Sequence, residues 1–155
     1  MKGKIMILHL LLIFLIPWII CIMHLYKKDK MLLFLFSPFF SVVTYTINTL
    51  GFYFGFWEVL PFPNQKNLAS LPFDLGIYPV FACYLIFFIK KINKPYFVLF
   101  LMTLLTTFLE MVFVYFERVT YGNGWNIYLT FFSYLLPYSF LYWYYRFLIK
   151  INVIK

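Results

Sequence analysis

An all-α fold, a polytopic bundle of about five transmembrane helices, is what this sequence predicts, and three observations predict it. Hydrophobic residues make up 65% of the chain and charged residues 12%, where a soluble domain carries roughly a quarter charged. Five apolar runs approach or exceed the roughly 20 residues that a helix rising about 1.5 Å per residue needs to cross a hydrocarbon layer about 30 Å thick. The 13 basic and 5 acidic residues are too few to form the polar shell a water-soluble core requires, so lipid supplies the outer environment.

Taken in order, the expected helices are 5–26, 31–57, 73–89, 95–116 and 126–147, within one transmembrane domain covering 1–155. The first contains Pro17, which a membrane helix tolerates when neighbours satisfy the freed carbonyl. It is too long for the 7–15-residue core of a signal peptide and is followed by Lys27, Lys28 and Lys30 rather than a small-residue cleavage site, so it reads as a retained helix. The second is long enough to tilt. The third is the shortest and carries Gly76 and Pro79, which also fits a kinked or re-entrant element. The fourth opens with Pro95, favoured in a first turn where the missing N–H is not needed. The fifth contains Pro137. Apart from the stretch between Glu58 and Pro72, the connections are short and leave no room for a second domain.

The net charge of +8 does not indicate nucleic acid, because the basic residues fall in short clusters between apolar runs, where they meet lipid headgroups. Cytoplasmic loops carry the excess of Lys and Arg. Lys27, Lys28, Lys30, Lys90, Lys91, Lys94, Arg146, Lys150 and Lys155 fall at one set of helix ends, against Lys2, Lys4, Lys66 and Arg118 at the other. A multi-pass protein of the plasma membrane with its N-terminus outside and its C-terminus in the cytoplasm follows. Cys21 and Cys83 lie in apolar runs, where free cysteine behaves as a small hydrophobe.

The polar residues inside the runs are the candidate functional residues. Ser41, Thr44, Asn48, Gly51 and Gly55 recur every three or four residues and share a face. Gly51 and Gly55 form a G-x-x-x-G pair suited to helix packing, and Asn48 can hydrogen-bond across such a contact. Thr103, Thr107, Glu110, Val114 and Glu117 form a second stripe. Glu110 lies about 9 Å inside its helix end, where an unpaired carboxylate is costly, so it should face the bundle; Asn48 is the expected partner. Asp74 reads as a first-turn acid at the start of the third helix, favoured by the helix dipole. Asn126, Thr130, Ser133 and Pro137 make a third stripe. His9 and His24 are too far apart to share a metal, and no catalytic, phosphate-binding or metal-ligand spacing occurs, so no cofactor is expected.

Asn48 with Gly51 and Tyr53, Trp57 near Pro61, Leu71-Pro72-Phe73-Asp74 with Pro79, Glu110, and Trp125 followed by Ser133 give the chain a pattern across most of its length. In these residues it resembles a family of small, functionally uncharacterised multi-spanning membrane proteins of spore-forming Gram-positive bacteria. The resemblance implies a plasma-membrane location and a multi-helix fold and carries no activity. Three readings follow: a non-enzymatic protein acting through helix–helix contacts with itself or a membrane partner; a small transporter or ion-coupled carrier using Glu110 with Asn48 and Asp74; and a lipid-acting membrane enzyme, which lacks a nucleophile–base pair.

Overall fold

The computed structural model describes residues 8, 10–60 and 64–154, and within them the regular structure is helical apart from two short strands. Helix α1 is built of a π-helical turn, Leu10–Leu15, an α-helical segment, Ile16–Cys21, and a second π-helical turn, Ile22–Tyr26. It continues into α2, Lys27–Tyr53, through one extended residue, Asp29 (φ −158, ψ 85). Next come β1 (Trp57–Val59), α3 (Lys66–Ile92, with a π-helical turn at Phe73–Ile77), α4 (Pro95–Tyr115), β2 (Val119–Tyr121) and α5 (Ile127–Lys150).

Three helical stretches among the described residues, Leu11–Tyr53, Lys66–Ile92 and Pro95–Tyr115, are long and apolar enough to cross a membrane. The tyrosines of α5 make its 24 residues less apolar. The single extended residue Asp29 reverses the chain. On α1, Trp18 meets Leu75 and His24 meets Tyr84, so α1 runs parallel to α3. On α2 the order is opposite, with Asp29 at Lys90, Leu32 at Cys83 and Asn48 at Asp74. Helices α4 and α5 pair antiparallel, with Thr106 bonded to Tyr138 and Glu110 reaching Thr130. All the loop turns therefore gather at two ends. One end bears Lys27, Lys28, Lys30, Lys90, Lys91, Lys94, Arg146 and Lys150; the other bears the two strands.

The third helix departs most from expectation. Expected over 73–89, it runs from Lys66 to Ile92 and is the most enclosed of the three, with 56% of its apolar window buried. The π-helical turn at Phe73–Ile77 precedes Pro79, and that at Leu10–Leu15 precedes Pro17. Proline cannot donate to the carbonyl four residues back, which widens the turn before it. For Pro79 that carbonyl belongs to Leu75, and the Trp18 indole N–H donates to it at 2.7 Å. For Pro17 it belongs to Ile13, whose oxygen lies so close to Gly76 that a Cβ there would collide with it. Each proline thus opens a helix, and the two openings nest.

The second helix ends at Tyr53, short of the expected residue 57. Gly55 (φ +68) takes the left-handed conformation, Gly55 N–H donates to Phe52 O at 3.2 Å and Phe56 N–H to Gly51 O at 2.9 Å, a Schellman stop. The same pair of bonds ends α4 at Glu117 (φ 54) and α5 at Asn152 (φ 57). The chain released at the first two stops forms β1 and β2, which pair antiparallel with Trp57 opposite Tyr121 and Val59 opposite Val119.

The core runs along α3, where Ala82, Cys83, Leu85 and Ile86 are fully buried against Leu25, Phe36 and Leu141. Phe40 stacks on Tyr138 and Phe39 on Tyr144, tying α2 to α5. Outward-facing side chains are equally apolar: Met23, Phe34, Val42 and Leu136 are each about two-thirds exposed or more, a surface compatible with membrane insertion.

Replacing Trp18 by Phe should lower stability in detergent by about 1–3 kcal/mol, the cost of an unsatisfied Leu75 carbonyl. Gly76→Ala should cost a similar amount by overpacking against the Ile13 backbone. Lipid-facing Trp143→Phe should stay within about 0.5 kcal/mol of the parent. Thermal unfolding followed by tryptophan fluorescence and circular dichroism distinguishes the three.

Candidate functional site

The strand-capped end holds two acids, Asp74 buried and Glu110 half-buried, each wired to one of the strands. Glu110, in the last two turns of α4, accepts from the Tyr121 hydroxyl at 2.8 Å through Oε1 and from the Tyr134 hydroxyl through Oε2, and the Thr130 hydroxyl oxygen lies 3.3 Å from the same Oε1. Behind these, Trp125 Nε1 donates to Thr130 Oγ1 at 2.9 Å, Thr130 stands 2.9 Å from the Tyr121 hydroxyl, and Tyr78 stands 3.0 Å from that of Tyr134. Because Tyr134 donates to the carboxylate, Tyr78 donates to Tyr134. Two relays, Trp125–Thr130–Tyr121 and Tyr78–Tyr134, thus run in one direction and end on the two oxygens of Glu110.

Asp74 forms the second network. It is fully buried, and its Oδ1 accepts from Asn48 Nδ2 at 2.7 Å, while Asn48 Oδ1 accepts from Trp57 Nε1 at 3.1 Å. Its Oδ2 has no hydrogen-bond partner among the described residues. Thr44 and Ser70 adjoin it, yet their hydroxyl hydrogens go to backbone: Thr44 to Phe40 O at 3.1 Å, Ser70 to Asn67 O at 3.1 Å. The ion pairs among the described residues are Lys66–Glu58 and Lys90–Asp29, both near helix ends. Neither Asp74 nor Glu110 has a cationic partner there.

Between the networks lies a cavity of about 50 Å³, bounded by Asn48 and Trp57 on one side, Tyr78 and Tyr134 on another, with Glu110 in its wall and Val59 and Val119 closing it from the strands. A water needs roughly 10–15 Å³ of such volume, so the space suits a few waters or one small ion, and not a drug-sized molecule, whose pockets measure about 300 Å³ or more. Trp57, in its wall, meets Trp125 edge to face at 4.8 Å. Burial, followed by the neighbouring Glu110 carboxylate, raises the Tyr121 hydroxyl above its ordinary pKa, so Tyr121 remains a donor across the physiological range.

The structure unites the sequence candidates in one region with different pairings. Glu110 and Asn48 both face the cavity, as the stripes suggested, but Asn48 bonds to Asp74 and not to Glu110. Asp74 is no first-turn acid: α3 starts at Lys66, which moves Asp74 to the π-helical turn. Gly51 and Gly55 are not a helix-packing pair. The Trp57 indole folds back onto Gly51, leaving no space for a Cβ, and Gly55 sits beyond the helix at the turn, against Asn123. Asn126 is the N-cap of α5, accepting from the Tyr128 and Leu129 N–H groups, and not part of a stripe with Thr130. His9 lies outside the described residues. Among them, no three His, Cys, Asp or Glu side chains converge as a metal site. Tyr78, Tyr121 and Tyr134 were missed, because tyrosine in so aromatic a chain carries no distinguishing spacing; the one signal was that Tyr134 and Thr130 share a helix face facing Glu110.

Comparison of the chain with known protein families, curated proteins and solved structures finds no match.

Since Glu110 and Tyr134 share a bond while Glu110 and Asn48 share none, a double-mutant cycle of Glu110→Gln with Tyr134→Phe should show a coupling of about 0.5–3 kcal/mol, whereas Glu110→Gln with Asn48→Ala should be additive within about 0.5 kcal/mol. Chemical or thermal unfolding of the purified chain in detergent measures both.

Proposed function

We propose that this chain is a five-span integral membrane protein whose strand-capped end carries a small acidic site for a proton or a small monovalent cation, in the manner of an ion-coupled carrier. The observation that carries this is Glu110: a carboxylate in the wall of a water-sized cavity, fed by hydroxyl donors on both oxygens, with no cationic partner among the described residues. Acids placed at membrane depth are costly, and they mark ion and proton pathways. Asp74, one oxygen unpartnered among the described residues, adds a second negative group, bonded to the Asn48 that lines the same space. The alternative reading, an adaptor working through helix–helix contacts, drew on Gly51 and Gly55, and both are taken up inside the chain by Trp57 and by the turn.

The legs of the bundle support the five-span reading. Helices α1 and α2, reversed at Asp29, each match the thickness of a bilayer, and the tyrosines of α5 that lower its hydropathy turn their hydroxyls inward, Tyr134 to Glu110 and Tyr138 to Thr106. With eight of the basic residues at the end opposite the strands, the positive-inside bias puts that end in the cytoplasm and the capped end outside.

In proteoliposomes, the full chain should carry protons or small monovalent cations down a gradient, read with an entrapped pH-sensitive dye and with cation-selective dyes, and Glu110→Gln should slow this by at least about tenfold, a loss of roughly 1.4 kcal/mol at the barrier, at unchanged abundance. Equal flux in the Glu110→Gln protein would end the proposal. Cysteine accessibility should place residues 29 and 92 on one face of the membrane and residues 64 and 122 on the other; 29 and 92 on opposite faces would exclude five spans.

A further inference from the structure

At the end opposite the strands the helices part to leave a groove of about 950 Å³ between the last turn of α3, the start of α4 and the last turns of α5. Three cations from two helices border it: Lys90, Arg146 and Lys150. Lys90 is held from one side by Asp29 at 2.6 Å, which is the sole acid at this end, since the other four acids of the chain, Glu58, Asp74, Glu110 and Glu117, belong to the capped half. Among the described residues Arg146 reaches only a long 3.5 Å contact with the Tyr142 hydroxyl, leaving most of its donor fork directed elsewhere. Tyr142, Tyr145 and the left-handed Asn93 add polar groups to the wall.

The groove also has an apolar exit. Trp143 and Phe147 border it, and with Phe140 they form an exposed stacked ridge along α5, Phe140 on Trp143 at 5.5 Å and Trp143 on Phe147 at 6.0 Å. Cations and hydroxyls in a recess at a helix end, continuous with an exposed aromatic ridge running into the apolar flank, match a molecule with an anionic head and hydrocarbon tails. Basic pockets between membrane helices on the cytoplasmic side recognise such heads, and the guanidinium fork suits a phosphate.

We propose that this groove binds the headgroup of an anionic phospholipid, its phosphate between Arg146, Lys150 and Lys90 and its acyl chains along Phe140, Trp143 and Phe147. The remaining lysines of this end, Lys27, Lys28, Lys30, Lys91 and Lys94, do not border the groove; they supply diffuse attraction to an anionic surface, whereas the groove confers a one-to-one site. The inference rests on the chain lying in a bilayer with this end at an interface, and is independent of what the acidic cavity carries.

Native mass spectrometry of the full chain in detergent tests it, with dioleoyl phosphatidylglycerol, dioleoyl phosphatidylcholine and soluble glycerol 1-phosphate as probes. A single phosphatidylglycerol should bind at least about tenfold more tightly than phosphatidylcholine, and the Arg146→Ala/Lys150→Ala double variant should lose that preference, at roughly the weight expected of two interfacial cations. The Lys91→Ala/Lys94→Ala variant, with the same charge change outside the groove, should keep binding within about twofold, and Glu110→Gln should leave it unchanged, so a failed flux assay does not bear on this result. Equal binding of the two lipids, equal losses in the two double variants, or displacement of the lipid by stoichiometric glycerol 1-phosphate would each overturn the proposal.

Discussion

Hydrocarbon offers no hydrogen-bond partner, so every polar group carried to membrane depth has to find one inside the chain. That constraint explains features that look unrelated in sequence. Pro79 strips Leu75 O of its helical donor, and Trp18 from another helix replaces it. Thr103, Thr106 and Thr107 return their hydroxyl hydrogens to carbonyls one turn back. Tyr134 and Tyr138, which by hydropathy weaken the case for α5 as a membrane helix, turn inward onto Glu110 and Thr106. Left-handed residues at 55, 93, 117 and 152 close four helix ends within the chain's own backbone. The exceptions among the described residues are Thr49 Oγ1 and the second oxygen of Asp74, and the latter belongs to the acid that Asn48 links to the cavity.

Charge is sorted along the bundle axis. Basic side chains crowd one end around a single acid, while four acids occupy the other half with Lys66 and Arg118. The two ends consequently present different chemistry: a shallow recess of cations and aromatics suited to anionic heads, and an enclosed acidic space roofed by strands and tryptophans. The flanks between them bear mostly exposed apolar side chains.

The all-helical class and the approximate positions of the helices were legible because length and hydropathy dictate them, and three of the helical stretches are long and apolar enough to cross a membrane. Boundaries failed where local stereochemistry overrode hydropathy: Phe56 and Trp57 are apolar enough to prolong a helix, yet Gly55 ends it, and the released residues pair as a strand. The third helix was underestimated because Asn67, Ser70 and Pro72 dilute its first two turns, although that segment packs against the bundle. Glu110, Asn48 and Asp74 were recognisable as acids and amides out of place in lipid. Their pairing was not, since Asn48 and Asp74 meet only because α2 and α3 run antiparallel at a particular register, and because a π-helical turn rotates Asp74 inward.

The two-stranded pairing has one further implication. Trp57 and Tyr121 are cross-strand neighbours, and each supplies a donor to a different acid network, one to Asn48 and the other to Glu110. In a ladder, sliding one strand by a single residue turns its alternate side chains to the opposite face. A slip there would withdraw the indole or the phenol from its post and leave the matching network short of a donor, so both acid networks depend on the same short zipper.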